Sequence, residues 1–135
     1  MPLTGLEHCL VLTDDVEATR AFYCDALGFD VGDRPDLPFP GLWLYLGGVP
    51  RVHVADRGPY EEHSERIGLP ASSAAPGSGA VDHIAFDAED YDEVAERLRA
   101  AGVQAHPNEI PGVLRQLFVH DPNGVKIEIN VPVPR

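Results

Sequence analysis

The sequence predicts an α+β fold made of two tandem βαβββ modules whose sheets curve as one mixed sheet around an open cleft. Three observations predict it. The chain matches itself at a shift of 75 residues, a short apolar run and a helix-period segment open each half, and a glycine-marked hairpin closes each half. His8 in Leu-Glu-His-Cys-Leu falls on His83 in Val-Asp-His-Ile-Ala, and His53 in Arg-Val-His-Val falls on Glu128 in Lys-Ile-Glu-Ile. Between these points Leu42-Trp43-Leu44 lies over Leu117-Phe118-Val119, and Val52 and Val54 lie over Ile127 and Ile129.

The elements follow in order. Residues 6–12 are apolar and short, which reads as a strand. Asp14 or Asp15 then offers an N-cap, and Val16, Thr19, Phe22, Tyr23 and Ala26 keep helical spacing up to a stop at Gly28. The second half repeats the pattern: a strand over 81–86, the acids Glu89 and Asp90, then Tyr91, Val94, Ala95, Leu98 and Ala101 before Gly102. The two stops are 74 apart rather than 75, a slip expected to be absorbed at the helix end. A short extended stretch follows each helix. In the first half it leads into a loop over 32–41 holding Pro35, Pro38 and Pro40. Strands are expected at 42–46 and 51–55, turning at Gly47-Gly48, and at 116–120 and 125–131, turning at Asp121-Pro122-Asn123-Gly124. Gly-Gly and Asn-Gly supply the positive φ that tight hairpins need. Residues 58–79 read as a partly flexible connector between module 1 (4–57) and module 2 (80–132) of a single domain spanning 1–135. The Pro76-Gly-Ser-Gly79 segment lacks the Lys-Ser/Thr ending of a phosphate loop.

Composition narrows the function. The 135 residues are 44% hydrophobic and carry a net charge of −12 with one lysine, Lys126. This opposes binding to nucleic acid or to an anionic membrane, both of which need basic patches. No apolar run is long enough to span a bilayer and the N-terminus has no signal-like core, so a cytoplasmic location is the default. Two cysteines make no disulfide framework, and Cys9 is expected to face the helix side near Cys24 as a small buried hydrophobe.

Strand parity adds a site. Val125, Ile127, Ile129 and Val131 alternate with Lys126, Glu128 and Asn130, and Val52 and Val54 flank His53. If the β-branched set faces the helices, His53 and Glu128 face away from them, and the two open faces would gather His8, His53, His83 and Glu128 in one cup. Trp43 and Phe118 share that parity and would line it, with Gln116 orienting a polar group of the substrate and Phe39 in the proline-rich loop capping it. His63, His106 and His120 read as exposed or internally satisfied.

The chain resembles the vicinal oxygen chelate superfamily, which includes glyoxalase I, methylmalonyl-CoA epimerase, extradiol dioxygenases, fosfomycin-modifying enzymes and bleomycin-resistance proteins. The resemblance covers nearly all of 4–132. It is carried by Leu-Glu-His8, by Phe22-Tyr23-Cys-Asp-Ala-Leu-Gly-Phe29, by Val-Asp-His83-Ile-Ala-Phe and by Phe118-Val-His-Asp-Pro-Asn-Gly124-Val-Lys-Ile-Glu128. It implies paired βαβββ modules, an open metal-lined cleft for a small-molecule substrate, and a homodimer in which two chains share the site. It also implies His8, His83 and Glu128 as ligands of one divalent metal ion, with His53 at the position of the fourth. Three imidazoles and a carboxylate suit Zn, Ni, Fe, Co or Mn. Two coordination positions would then stay open for a chelating substrate, and Glu128 or His53 would serve as the catalytic proton carrier. The leading expectation is a glyoxalase-like lyase or isomerase. A non-haem Fe(II) extradiol dioxygenase and a metal-free binder of a bleomycin-type drug are the alternatives. Leu12 and Arg57 stand where glutathione-dependent relatives place substrate-clamping Arg and Asn, and Phe118 stands where ring-cleaving relatives place a Tyr.

Overall fold

The structure is a computed structural model that describes residues 2–72 and 76–134. Residues 73–75, in the middle of the expected connector, lie outside the described residues. Module 1 runs β1 (Cys9–Thr13), α1 (Val16–Ala21), β2 (Asp30–Gly32), β3 (Gly41–Leu46) and β4 (Val49–Asp56). After α2 (Arg57–Ile67), module 2 repeats the order with β5 (Ile84–Asp87), α3 (Tyr91–Ala100), β6 (His106–Ile110), β7 (Leu114–His120) and β8 (Lys126–Pro132). Each module folds into its own four-stranded mixed sheet, ordered β1-β4-β3-β2 and β5-β8-β7-β6. β1 and β5 run parallel to the last strand of their module, and the remaining pairs are antiparallel.

The 75-residue repeat is a repeat of register. Cys9 pairs with Val52 as Ile84 pairs with Ile127, and Trp43 pairs with His53 as Phe118 pairs with Glu128. Residues paired across antiparallel strands share a face, so each match in sequence becomes a match in side-chain direction. His8 and His83 each stand one residue before their strand. The strands begin three residues later than the expected 6–12 and 81–86.

Asp15 and Asp90 cap the two module helices, accepting from Ala18 N at 2.9 Å and from Glu93 N at 3.1 Å. The one-residue slip between the repeats does not lie in a frayed end. Six residues of α1 run on into a five-residue π-helical turn, Phe22–Ala26, where α3 has ten residues in all. A π-turn absorbs one extra residue without breaking the helix, and here it buries Phe22, Tyr23 and Ala26 together. The connector departs further from expectation, since its first half is α2. That helix has charged residues at Arg57, Glu61, Glu62, Glu65 and Arg66 and no apolar stripe, so periodicity did not reveal it. Pro59 in its first turn and Gly68 in a left-handed cap (φ 77°) are the local signals it does carry.

A single core joins the modules. Val11, Leu44, Val52 and Val54 from the first sheet and Leu117, Val119, Ile127 and Ile129 from the second pack with Phe22, Tyr23, Phe29 and Leu98. Each such side chain contributes about 1.5–3 kcal/mol of burial. Polar contacts fasten the join: Tyr23 Oη donates to Asp121 Oδ2 at 2.8 Å, Asn123 Nδ2 to Thr19 Oγ1 at 3.0 Å, and Arg97 Nη2 to the Cys24 and Asp25 carbonyls, both at 3.3 Å. Cys9 and Cys24 are free, half-buried thiols against this core, and burial raises the pKa of each. The opposite faces of both sheets point away from the shared core. Among the described residues no helix is long and apolar enough to cross a membrane.

Candidate metal centre

On the open face of the first sheet, three rings form one stack. His53 lies between His8, at 3.8 Å between ring centroids and 12° between planes, and Trp43, at 4.0 Å and 11°. The order follows from register, because Trp43 is the cross-strand partner of His53 and His8 enters from just before β1. His53 is 9% exposed. Burial first, and then the neighbouring His8, hold its pKa below the ordinary imidazole value, so it is neutral at neutral pH, the form that binds a metal. His8 Nδ1 lies 3.0 Å from Glu7 Oε1. A carboxylate only accepts, so Nδ1 carries the proton and the Nε2 lone pair is left for a ligand.

The second sheet repeats the device. His83 Nδ1 lies 2.8 Å from Asp82 Oδ2, and Lys126 Nζ meets the same oxygen at 2.6 Å. The hydrogen bonds from His83 and Lys126 hold the Asp82 carboxyl below its usual range. With Nδ1 protonated, His83 Nε2 turns a lone pair toward Glu128 Oε1 at 3.7 Å. Two acceptors at that distance make no hydrogen bond with each other. Two donors on one ion, each at 2.0–2.2 Å, stand about 3.4 Å apart at a tetrahedral angle, so the pair fits a shared cation. Glu128 Oε2 is held by Asn130 Nδ2 at 2.9 Å, Asn130 Oδ1 accepts from Gln116 Nε2 at 3.0 Å, and Gln116 Oε1 accepts from Asn108 Nδ2 at 2.7 Å. This amide ladder crosses β6, β7 and β8 and ends on the carboxylate.

The predicted residues therefore come together as two pairs, His8 with His53 and His83 with Glu128. Among the described residues no group of three or more His, Cys, Asp or Glu side chains is placed to hold a metal ion. Trp43 and Phe118 lie on the expected faces, Trp43 against His53 and Phe118 opposite Glu128. Gln116 is 7% exposed with both ends of its amide engaged, so it steadies Asn130. Phe39 packs on α2, edge-on to Tyr60 with centroids at 5.1 Å and tilted against His63 at 5.5 Å. His63 is thus half-buried on a helix, not out in solvent on a loop; His106 and His120 are exposed.

Sequence reasoning passed over Glu7 and Asp82, although they too are 75 apart. It passed over Arg51 and Lys126, another pair at that shift. Arg51 Nη1 donates to the carbonyls of Leu6 at 3.0 Å and Glu7 at 2.9 Å, bracing the segment before His8 as Lys126 braces the one before His83.

A family model described as the glyoxalase/bleomycin resistance protein/dioxygenase superfamily matches residues 5–129. A protein of Arabidopsis thaliana named glyoxylase I 4 is 34% identical over 135 residues, covering 94% of this chain and 70% of the relative. An ethylmalonyl-CoA/methylmalonyl-CoA epimerase of Cereibacter sphaeroides is 28% identical over 130 residues, covering 92% and 95%. The crystal structure of a lactoylglutathione lyase from Agrobacterium tumefaciens matches with a TM-score of 0.73 at 21% identity, covering 97% of this chain and 96% of that one, a likeness of fold. With its duplicated register and its helix-backed sheets, the chain belongs to the glyoxalase/bleomycin resistance protein/dioxygenase superfamily.

Proposed function

We propose that this protein is a divalent-metal-dependent lyase or isomerase acting on a small substrate that chelates the ion through two oxygens. The observation that carries the reading is the pair of equivalent half-sites, each with two donors in the same register and each with its first histidine held in the Nε2-free tautomer. Neither half-site is sufficient alone, and each module leaves one sheet edge unpaired beside them, at β1 and at β5. Leu3, Leu6 and Val81, just before those strands, are 80%, 87% and 63% exposed. A second copy of the chain accounts for both facts. In a homodimer, His8 and His53 of one chain face His83 and Glu128 of the other across a shared ion, one ion per chain.

A bound Zn, Ni, Fe, Co or Mn ion lowers the cost of negative charge on the substrate oxygens. The chain's own groups do the rest. Glu128, fixed through Oε2 by Asn130, would take or return a proton at the carbon beside those oxygens through Oε1 when that oxygen is not engaged by the ion. His53, stacked between two rings, stays neutral. Trp43 and Phe118 form apolar walls that keep water from the charge that develops.

Protein purified without chelator should contain about one divalent ion per chain. The loaded protein should exchange the proton beside the carbonyl of α-hydroxycarbonyl compounds for deuterium, followed by proton NMR in heavy water. Protein that holds no ion and takes none up on reconstitution would overturn the reading.

A further inference from the structure

The chain is poor in cations and rich in acids, and four of its eight described arginines rest on a carboxylate: Arg20 on Glu17, Arg57 on Glu61, Arg66 on Glu62 and Arg99 on Glu96. Arg34, in the loop between β2 and β3, does not. Its Nη2 donates to the Phe39 carbonyl at 2.7 Å, and its Cζ stands 5.2 Å from the centre of the Phe39 ring. Its Nε is buried with no partner, and among the described residues no carboxylate lies within ion-pair reach of it. His63 Nδ1, on a ring packed against the same Phe39, is likewise buried and unpartnered. Such orphans are uncommon and costly, most of all on a cation.

The position of Arg34 gives the orphans a meaning. Its Nη2 comes within 3.2 Å of where a Cβ on Gly41 would stand. Gly41 pairs with Ala55, two places along from the Trp43–His53 pair and on the same face by alternation. The guanidinium therefore sits at the α2 end of the face that carries the first half-site.

We propose that Arg34, with His63 as a second donor, receives a carboxylate carried by the substrate, so that the substrate is a metal-chelating compound with an additional carboxylate at its far end. The assignment rests on the metal-centre reading above and adds the substrate class to it. One guanidinium neutralises one negative charge, and a chain of net charge −12 repels a ligand carrying more.

The test is calorimetry on Ni²⁺-loaded protein with butyrohydroxamate and succinohydroxamate, which share a chelating head and differ in ending as a methyl or a carboxylate. Succinohydroxamate should bind at least about tenfold tighter to the unmodified protein. In Arg34→Gln that preference should vanish while nickel content and butyrohydroxamate affinity stay the same, and Arg34→Lys should keep part of it. Equal affinity for the two probes in nickel-loaded unmodified protein overturns the assignment and leaves the metal centre standing, whatever the variants' folding. A preference that survives Arg34→Gln in a variant with native circular dichroism also overturns it. Protein that takes up no nickel and binds neither probe removes the metal centre and this assignment together.

Discussion

Asp82 and Asn130 touch no substrate in this account, yet they set what the donors can do. Asp82 keeps the proton on His83 Nδ1, and Asn130 fixes which Glu128 oxygen faces the imidazole. Replacing either by alanine should weaken divalent-metal affinity about 10–100-fold while leaving the fold intact, measured by competition with a chromogenic chelator. Glu128→Ala should remove bound metal and activity together. Trp43 is the chain's one tryptophan and stacks directly on His53, so its fluorescence is a built-in reporter. Adding Ni²⁺ should quench it saturably, and the quench should be lost in Glu128→Ala. Much at this scale was readable beforehand, because the shift of 75 lined up His8 with His83 and His53 with Glu128. Arg34 and Asn108 were not. Neither has a repeat partner that signals its role, and their meaning comes from a loop folding over Gly41 and from a neighbouring strand.

Among the elements, the start of β3 is the tightest point. A Cβ on Gly41 would overlap the Val54 carbonyl, whereas one on Gly48, in the following turn, would meet nothing within 4 Å. Gly48→Ala should therefore cost only the left-handed backbone penalty (φ 79°), about 1–2 kcal/mol. Gly41→Ala should lower the urea midpoint by clearly more. Equal midpoints would show that the strand entry relaxes freely. The strands and the two module helices were legible because their apolar periods are those of half-buried elements. The π-turn appeared only as a missing residue in the repeat, since an insertion inside a helix and one at its end look alike in sequence. The helix α2 was hidden because its stability comes from end signals and from packing Tyr60 and His63 against Phe39, not from an apolar stripe.

Across the whole molecule the two modules are held by a buried polar latch. Tyr23 is 0% exposed, and its hydroxyl reaches Asp121 in the β7–β8 turn of the other module. Tyr23→Phe should cost about 1–2 kcal/mol of unfolding free energy. Burial, then the Asp121 charge and the hydrogen bond to it, push the Tyr23 phenol far above its ordinary value. The folded pKa is the higher one, so this contribution is complete below the ordinary phenol value of about 10 and is lost as pH rises beyond it. Absorbance at 295 nm should show Tyr23 ionising only together with unfolding, and Tyr23→Phe should remove that part of the alkaline transition. The duplication itself could be read from the sequence, but whether the four donors meet could not, because periodicity fixes faces and says nothing of which two faces meet. Mixing two inactive variants decides that point. One chain lacks the first half-site (His8→Ala with His53→Ala), and the other lacks the second (His83→Ala with Glu128→Ala). After denaturation, mixing and refolding, a mixed dimer contains one intact pair of half-sites if the ion is shared between chains. The mixture should regain about one metal ion per mixed dimer, with matching activity; no recovery of metal or activity from a mixture shown to contain mixed dimers would contradict an ion shared between chains.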